Sequence, residues 1–108
     1  MLAVPDSMLD EVARRFALLG DPTRLRIVRV LHERGESTVG EIAAAAGTSA
    51  ANASQHLGRL LHGGVAARTR DGQAVRYRIT DDSIEQLCRI VCDSVRGSTR
   101  NLSEEGAE

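Results

Sequence analysis

The stretch Thr48–Ile79, TSAANASQHLGRLLHGGVAARTRDGQAVRYRI, decides how this chain is read. Ser49 is placed to cap a helix, in which Ala53, Leu57, Leu60 and Leu61 recur on one face. The rest of the helix presents Ser49, Asn52, Ser54, Gln55, His56 and Arg59. These side chains can hydrogen-bond to base edges or phosphates. Gly63-Gly64 ends the helix, and an arginine-bearing hairpin follows, turning at Asp71-Gly72. Val75, Tyr77 and Ile79 alternate with Arg76 and Arg78, so one face of that strand is apolar and the other cationic. Arg70, Gln73 and Arg76 are the hairpin side chains placed to touch a phosphate backbone or a minor groove. A solvated surface strand carries arginines too, but here they stand beside a polar-faced helix.

The net charge of −1 hides a segregation. Thr48–Thr80 holds Arg59, Arg68, Arg70, Arg76 and Arg78 against Asp71, a net of +4, whereas Asp81 to Glu108 nets −4. Local charge governs phosphate attraction because salt screens fields beyond roughly 8–10 Å. All 14 basic residues are arginine, the side chain suited to bidentate phosphate and guanine contacts. Biased genome composition produces the same usage.

Working outward, Ser7–Leu19 reads as a helix with Met8, Leu9, Val12, Ala13, Phe16 and Leu19 on one face. Gly20 ends it. Asp21 and Pro22 supply the cap and first-turn proline of a second helix, which ends near Arg34-Gly35. Leu25, Val28 and Leu31 form its inner stripe. Thr38 and Glu41 make a capping box for a short helix over Val39–Ala46, closed by Gly47. That helix, a Gly-Thr-Ser turn and the polar-faced helix have helix-turn-helix spacing; an ordinary αα-hairpin shares it. Asp81 or Asp82 caps a last helix running to about Arg96, with Ile84, Leu87, Cys88, Val91, Cys92 and Val95 on one stripe. Ile84, Leu87, Cys88, Val91 and Val95 are expected to form a two-fold dimer interface. Residues 97–108, small, polar and acidic, are expected to be a disordered tail beyond a single domain over 1–96.

The expected fold is mainly α with a β-hairpin wing (α+β): a homodimeric winged helix-turn-helix of five helices. At 108 residues the core is small, so a partner surface helps it. With no bilayer-length apolar run and no signal-peptide pattern, a cytoplasmic protein is the default.

Three stretches together resemble the ArsR/SmtB family of bacterial regulators. They are Phe16-Ala-Leu-Leu-Gly-Asp-Pro-Thr-Arg-Leu-Arg-Ile27, Ser49-Ala-Ala-Asn-Ala-Ser-Gln-His-Leu57 and Asp71-Gly-Gln-Ala-Val-Arg-Tyr-Arg-Ile79. The first is the most specific, and the resemblance covers about residues 8 to 95. It implies a homodimer that binds double-stranded operator DNA, usually as a repressor released by a metal ion or another signal. A winged-helix module that only docks or dimerises is the alternative.

The familiar ligand sets are not carried over. Where many metal-sensing members have Cys-x-Cys, this chain reads Ser37-Thr38-Val39-Gly40. At the Asp-x-His and His-x-x-Glu positions of zinc sensors it has Asp81, Ser83, Ser94 and Gly97. A third type places cysteines in the DNA-reading helix, and here there are none. If a transition-metal effector or an oxidant acts, Cys88 and Cys92 are the candidate metal or redox residues. Both also lie on the apolar stripe, where free cysteine packs as a small hydrophobe. No catalytic triad, phosphate loop or paired-carboxylate site is legible, so no enzyme is expected.

Overall fold

The computed structural model describes residues 4–106, with side chains through 98. Helix α1 spans Asp6–Leu19 and α2 spans Pro22–Arg34. Strand β1 is Ser37–Thr38, followed by α3, Val39–Ala46, and α4, Ala50–His62. Strands β2, Ala66–Asp71, and β3, Ala74–Ile79, form the hairpin, and α5 covers Asp82–Gly106.

The caps set the helix starts as the sequence predicts. Asp21 accepts a hydrogen bond from the Arg24 amide at 2.9 Å, with Pro22 in the first turn. Thr38 and Glu41 close a reciprocal capping box at 3.2 and 2.9 Å. Gly47 ends α3 in the left-handed region at φ 70°, where a side chain would be strained. The chain then reverses into α4, and α3–α4 is the helix-turn-helix pair.

Ile27, Ile42, Ala53, Leu57, Leu60 and Val65 are fully buried and form the centre of the core. Helix α2 packs on α1, α3, α4 and β3. Its inner stripe is Ile27, Val28, Val30 and Leu31; Leu25, expected inside, is 40% exposed. The α1 stripe is divided. Leu19 is buried, but Met8, Leu9 and Phe16 are about half exposed, because α1 packs mainly on α2. Ile84 is the opposite case. Expected at a dimer surface, it is 1% exposed and anchors the start of α5 in the chain's own core.

The sheet has a third strand that the sequence reading lacks. β1 pairs antiparallel with β3, Ser37 against Tyr77 and Thr38 against Arg76, giving the order β1-β3-β2. The hairpin turn lies one residue later than expected. Asp71 pairs with Ala74, so Gly72 and Gln73 are the loop residues. Only Gly72 takes a positive φ, 65°, as the first position of a type II′ turn requires. Helix α5 also continues past Arg96 to Gly106, so residues 97–106 of the expected tail are helical. A single glycine, Gly97, weakens a helix interior by only about 1 kcal/mol. Residues 107–108 of that tail lie outside the described residues. Among the described residues no helix is long and apolar enough to cross a membrane.

Thr38 joins the α3 cap to the short strand, so Thr38→Ala is expected to lower stability by about 1 kcal/mol and Thr38→Ser to restore most of it. Urea unfolding of the three proteins checks this; equal midpoints would show that the cap is dispensable.

Candidate nucleic-acid interface

Helix α4 stands with Ala53, Leu57 and Leu60 buried and its opposite face open. Ser54, Gln55 and Arg59 are exposed on that face. Ser49 and Asn52 also belong to the helix start, but their polar atoms are partly committed. Ser49 Oγ accepts from the Asn52 amide at 3.0 Å, and Asn52 Nδ2 donates to Thr48 Oγ1 at 2.8 Å. Asn52 keeps its side-chain oxygen for another partner.

His56 does not join this face. Its side chain is 15% exposed and turned toward the start of α2. Nδ1 accepts a hydrogen bond from Arg24 Nε at 3.3 Å, and Nε2 lies 3.8 Å from Asp21 Oδ2. Position 56 follows Ala53 and precedes Leu60 by about one turn each, so helical geometry draws it to the flank of the buried stripe. The expectation that it contacts a base or phosphate is replaced by this inward contact.

The hairpin register sorts the arginines onto two faces, because directly opposed residues share a face. Arg68 opposes Tyr77 and Arg70 opposes Val75, so both extend the face that is apolar near the core. Arg76 and Arg78 lie on the other face, opposite Thr69 and Ala67. That second face is partly neutralised. Arg76 Nη1 is 3.6 Å from Glu41, and Arg78 Nη1 is 3.5 Å from Glu36 while donating to Thr69 Oγ1 at 2.7 Å. Hydrogen bonds from the Thr38 amide and hydroxyl, and then the charges of Arg76 and Arg34, hold the Glu41 carboxyl below its usual range. It therefore stays ionised and keeps its hold on Arg76. Arg68 and Arg70 are exposed and make no ion pair among the described residues. Gln73 is exposed at the tip. Arg68, counted in the charge but not among the contact candidates, thus joins Arg70 as an available cation. The signal lies in the pairing register, which the displaced turn obscures.

Away from this surface, Phe16, Leu19, Leu25, Leu87, Cys88, Val91, Cys92 and Val95 line an apolar groove of about 340 Å³ between α1, α2 and α5. Val91 and Val95 are 51% and 58% exposed. Cys88 is half-buried and Cys92 exposed, and no disulfide joins them. Burial, reinforced by the neighbouring Cys92, pushes the Cys88 thiol up from its ordinary range, which favours the protonated packing form. Among the described residues no three His, Cys, Asp or Glu side chains are grouped to hold a metal ion within one chain. Asp81, the one potential ligand retained at the zinc-type positions, is instead bonded to the Ser83 hydroxyl and amide and paired with Arg15.

The HTH_20 family, a helix-turn-helix domain, matches residues 19–69. A probable mercury resistance operon repressor of Streptomyces lividans is 38% identical over 84 residues, covering 78% of this chain and 66% of that protein. The arsenical resistance operon repressor of Escherichia coli K12 is 31% identical over 97 residues, covering 83% of each. A homodimeric winged helix-turn-helix DNA-binding domain of Mycobacterium bovis, a possible ArsR-family transcriptional regulator, superposes with a TM-score of 0.78. Its identity is 31%, over 94% of this chain and 95% of that one. The chain belongs to the ArsR/SmtB family of winged helix-turn-helix transcriptional regulators, whose members are DNA-binding proteins rather than enzymes. It spans 64–66% of the length of several of its curated relatives.

Proposed function

We propose that this chain binds operator DNA as a homodimer and represses transcription under the control of a signal. The observation that carries the reading is the exposed polar face of α4 standing beside a wing with two free cations. In this arrangement α4 enters the major groove, with Gln55 and Ser54 reading base edges and Ser49 and Asn52 at its leading end. Arg59, Arg68 and Arg70 take the phosphates, Gln73 follows at the wing tip, and Arg76 contributes after release from Glu41. Action on operator DNA goes with a cytoplasmic location. The homodimeric Mycobacterium bovis neighbour supports the assembly, and so does the apolar groove of α1, α2 and α5. A second copy covering Phe16, Leu25, Val91 and Val95 would remove from water the large side chains this chain leaves exposed. Leu87 and Cys88 lie at the floor of that surface, and Ile84 beneath it.

The signal is a separate part of the proposal. The mercury and arsenical repressors are named for the resistance operons they control, and the residues here do not rebuild the family's usual ligand sets. A response to a soft metal or an oxidant would therefore run through Cys88 and Cys92, set at the proposed dimer surface. It would change how the subunits are set relative to one another, with coupling of roughly 1–3 kcal/mol.

On duplex DNA, Arg59→Ala and Arg68→Ala are each expected to weaken binding across sequences and to flatten the salt dependence by about one unit. Arg76→Ala should have a smaller effect because Glu41 already pairs it. Gln55→Ala should relax base preference at a cost on the order of 1–3 kcal/mol. Salt-titrated anisotropy reads all four; unchanged affinity throughout would remove this surface from the DNA and favour a docking module.

Sedimentation tests the dimer. Val91→Glu is expected to shift the protein toward monomer and lower its affinity for an inverted-repeat operator with half-sites about one helical turn, or a small multiple, apart. A monomeric unmodified protein at micromolar concentration would contradict the assembly. For the signal, titration of operator complexes with metals and oxidants compares the chain with a Cys88→Ser, Cys92→Ser double variant. The expected result is a response lost in the double variant; an equal response in both would leave the cysteines as packing residues.

A further inference from the structure

Arg24 is the charged side chain buried in this chain among the described residues, at 7% exposure. Its guanidinium spans three helices. Nη1 donates to the carbonyls of Leu18 and Ala17 at 3.1 and 3.4 Å, and Nε donates to His56 Nδ1 at 3.3 Å. The two carbonyls belong to the last turn of α1, which favours a cation; Ala17 O also accepts from the Gly20 amide at 3.2 Å, so Leu18 is the one that depends on Arg24. The third contact is on α4. An arginine Nε always carries its hydrogen, so His56 Nδ1 must offer a lone pair. The ring is thereby fixed as the neutral tautomer with its proton on Nε2, facing Asp21.

We propose that Arg24 is a positioning residue for α4, acting through His56, and that protonation of His56 releases this hold and weakens DNA binding. The proposal rests on the reading of α4 as the DNA-contacting helix. A proton on Nδ1 would set two donors and two cations against each other across the present 3.3 Å contact. Arg24 cannot withdraw without leaving the Leu18 carbonyl short of a donor in a part-buried place. The ring, and with it α4, is the part that moves, and Gln55 and Arg59 stand on the same helix.

Asp21 opposes this effect but weakly. Its Oδ2 already accepts from the Arg24 amide and already faces the Nε2 proton of neutral His56, so protonation adds only charge. That attraction acts at 3.8 Å toward a carboxylate 39% exposed, where solvent screens it. From α1, Glu11, Arg14 and Arg15 line the adjacent groove with Arg59 and His62 of α4. Glu11 is paired with Arg14 and Arg15, and Arg15 also with Asp81, so no free carboxylate comes from that side. The remaining charged neighbours are the guanidinium groups of Arg24 and Arg59.

The experiment measures duplex affinity at about pH 8 and about pH 5.5, a span in which an imidazole is the side chain that ordinarily changes charge. It uses the unmodified chain, His56→Asn and His62→Asn. Asparagine Oδ1 takes the place of Nδ1 as an acceptor and does not titrate. We expect the unmodified chain and His62→Asn to lose about tenfold in affinity on acidification, the scale of a lost hydrogen bond to a charged group. His56→Asn should match the unmodified chain at the higher pH and change less than about twofold. Nitrogen-15 NMR of the histidine rings at about pH 8 should show His56 with its proton on Nε2, a preference lost in Arg24→Lys. A wild-type pH profile in His56→Asn, or a proton on Nδ1, would overturn the proposal while leaving DNA binding intact. Failure of the unmodified chain to bind any duplex at either pH would instead overturn the reading of α4, and the proposal with it.

Discussion

Ile27, Val28, Val30 and Leu31 bury four of five consecutive positions of α2, which a helix can do only when neighbours press on it from several sides. Those neighbours are α1, α3, α4 and β3. The pair α3–α4 cannot take its angle without α2, and the central strand of the wing cannot reach the core without it. Burial of these side chains is worth about 1.5–3 kcal/mol each, and it fixes where the outward-facing side chains stand. Arg24, one turn earlier on the same helix, adds a polar restraint to the apolar one. The surface proposed to meet DNA is thus the outer side of elements whose inner sides converge on α2.

Charge on the wing follows from strand pairing rather than from composition. Four arginines stand within eleven residues, from Arg68 to Arg78, but the register divides them two to a face. The pair on β3 is brought beside Glu36 and Glu41 by the short β1 and the α3 cap. The pair on β2 points away from both acids. A chain with a net charge of −1 can therefore still present a cationic edge, because the acids nearest the wing's other face, Glu36 and Glu41, are spent on pairs and seven of the fifteen acids lie from Asp81 onward. Exposed ion pairs of this kind contribute little to stability; their consequence here is which arginines remain available to an anion.

Most of the fold was legible because its boundaries are set locally. Asp21-Pro22, Thr38 with Glu41, Gly47 and Ser49 each satisfy helix-end groups with their own side chain or backbone freedom, and each helix starts where they indicate. What escaped depends on contacts far apart in sequence. A two-residue strand such as β1 has no periodicity to detect. The turn shifted from Asp71-Gly72 to Gly72-Gln73 because the pairing of Ala66 with Ile79 sets the register. Ile84 and Leu25 sit on helical stripes that continue across the boundary between the core and the outer apolar groove, so their spacing cannot say which side of that boundary each occupies. His56 looked like one more polar residue on an open face until Arg24, 32 positions away, was placed against it. The helical continuation from Gly97 to Gly106 runs through small and acidic residues whose composition points to a tail.

Two-dimensional amide NMR of the chain titrated with duplex DNA tests the central claim most directly. The account predicts that the largest shifts fall on the first two turns of α4 and on Arg68, Arg70 and Gln73 of the wing. Shifts on the Arg76–Arg78 face should be smaller, and the outer face of α3 should be silent. Shifts concentrated on α5 or on the groove between α1 and α5, with α4 unmoved, would contradict it.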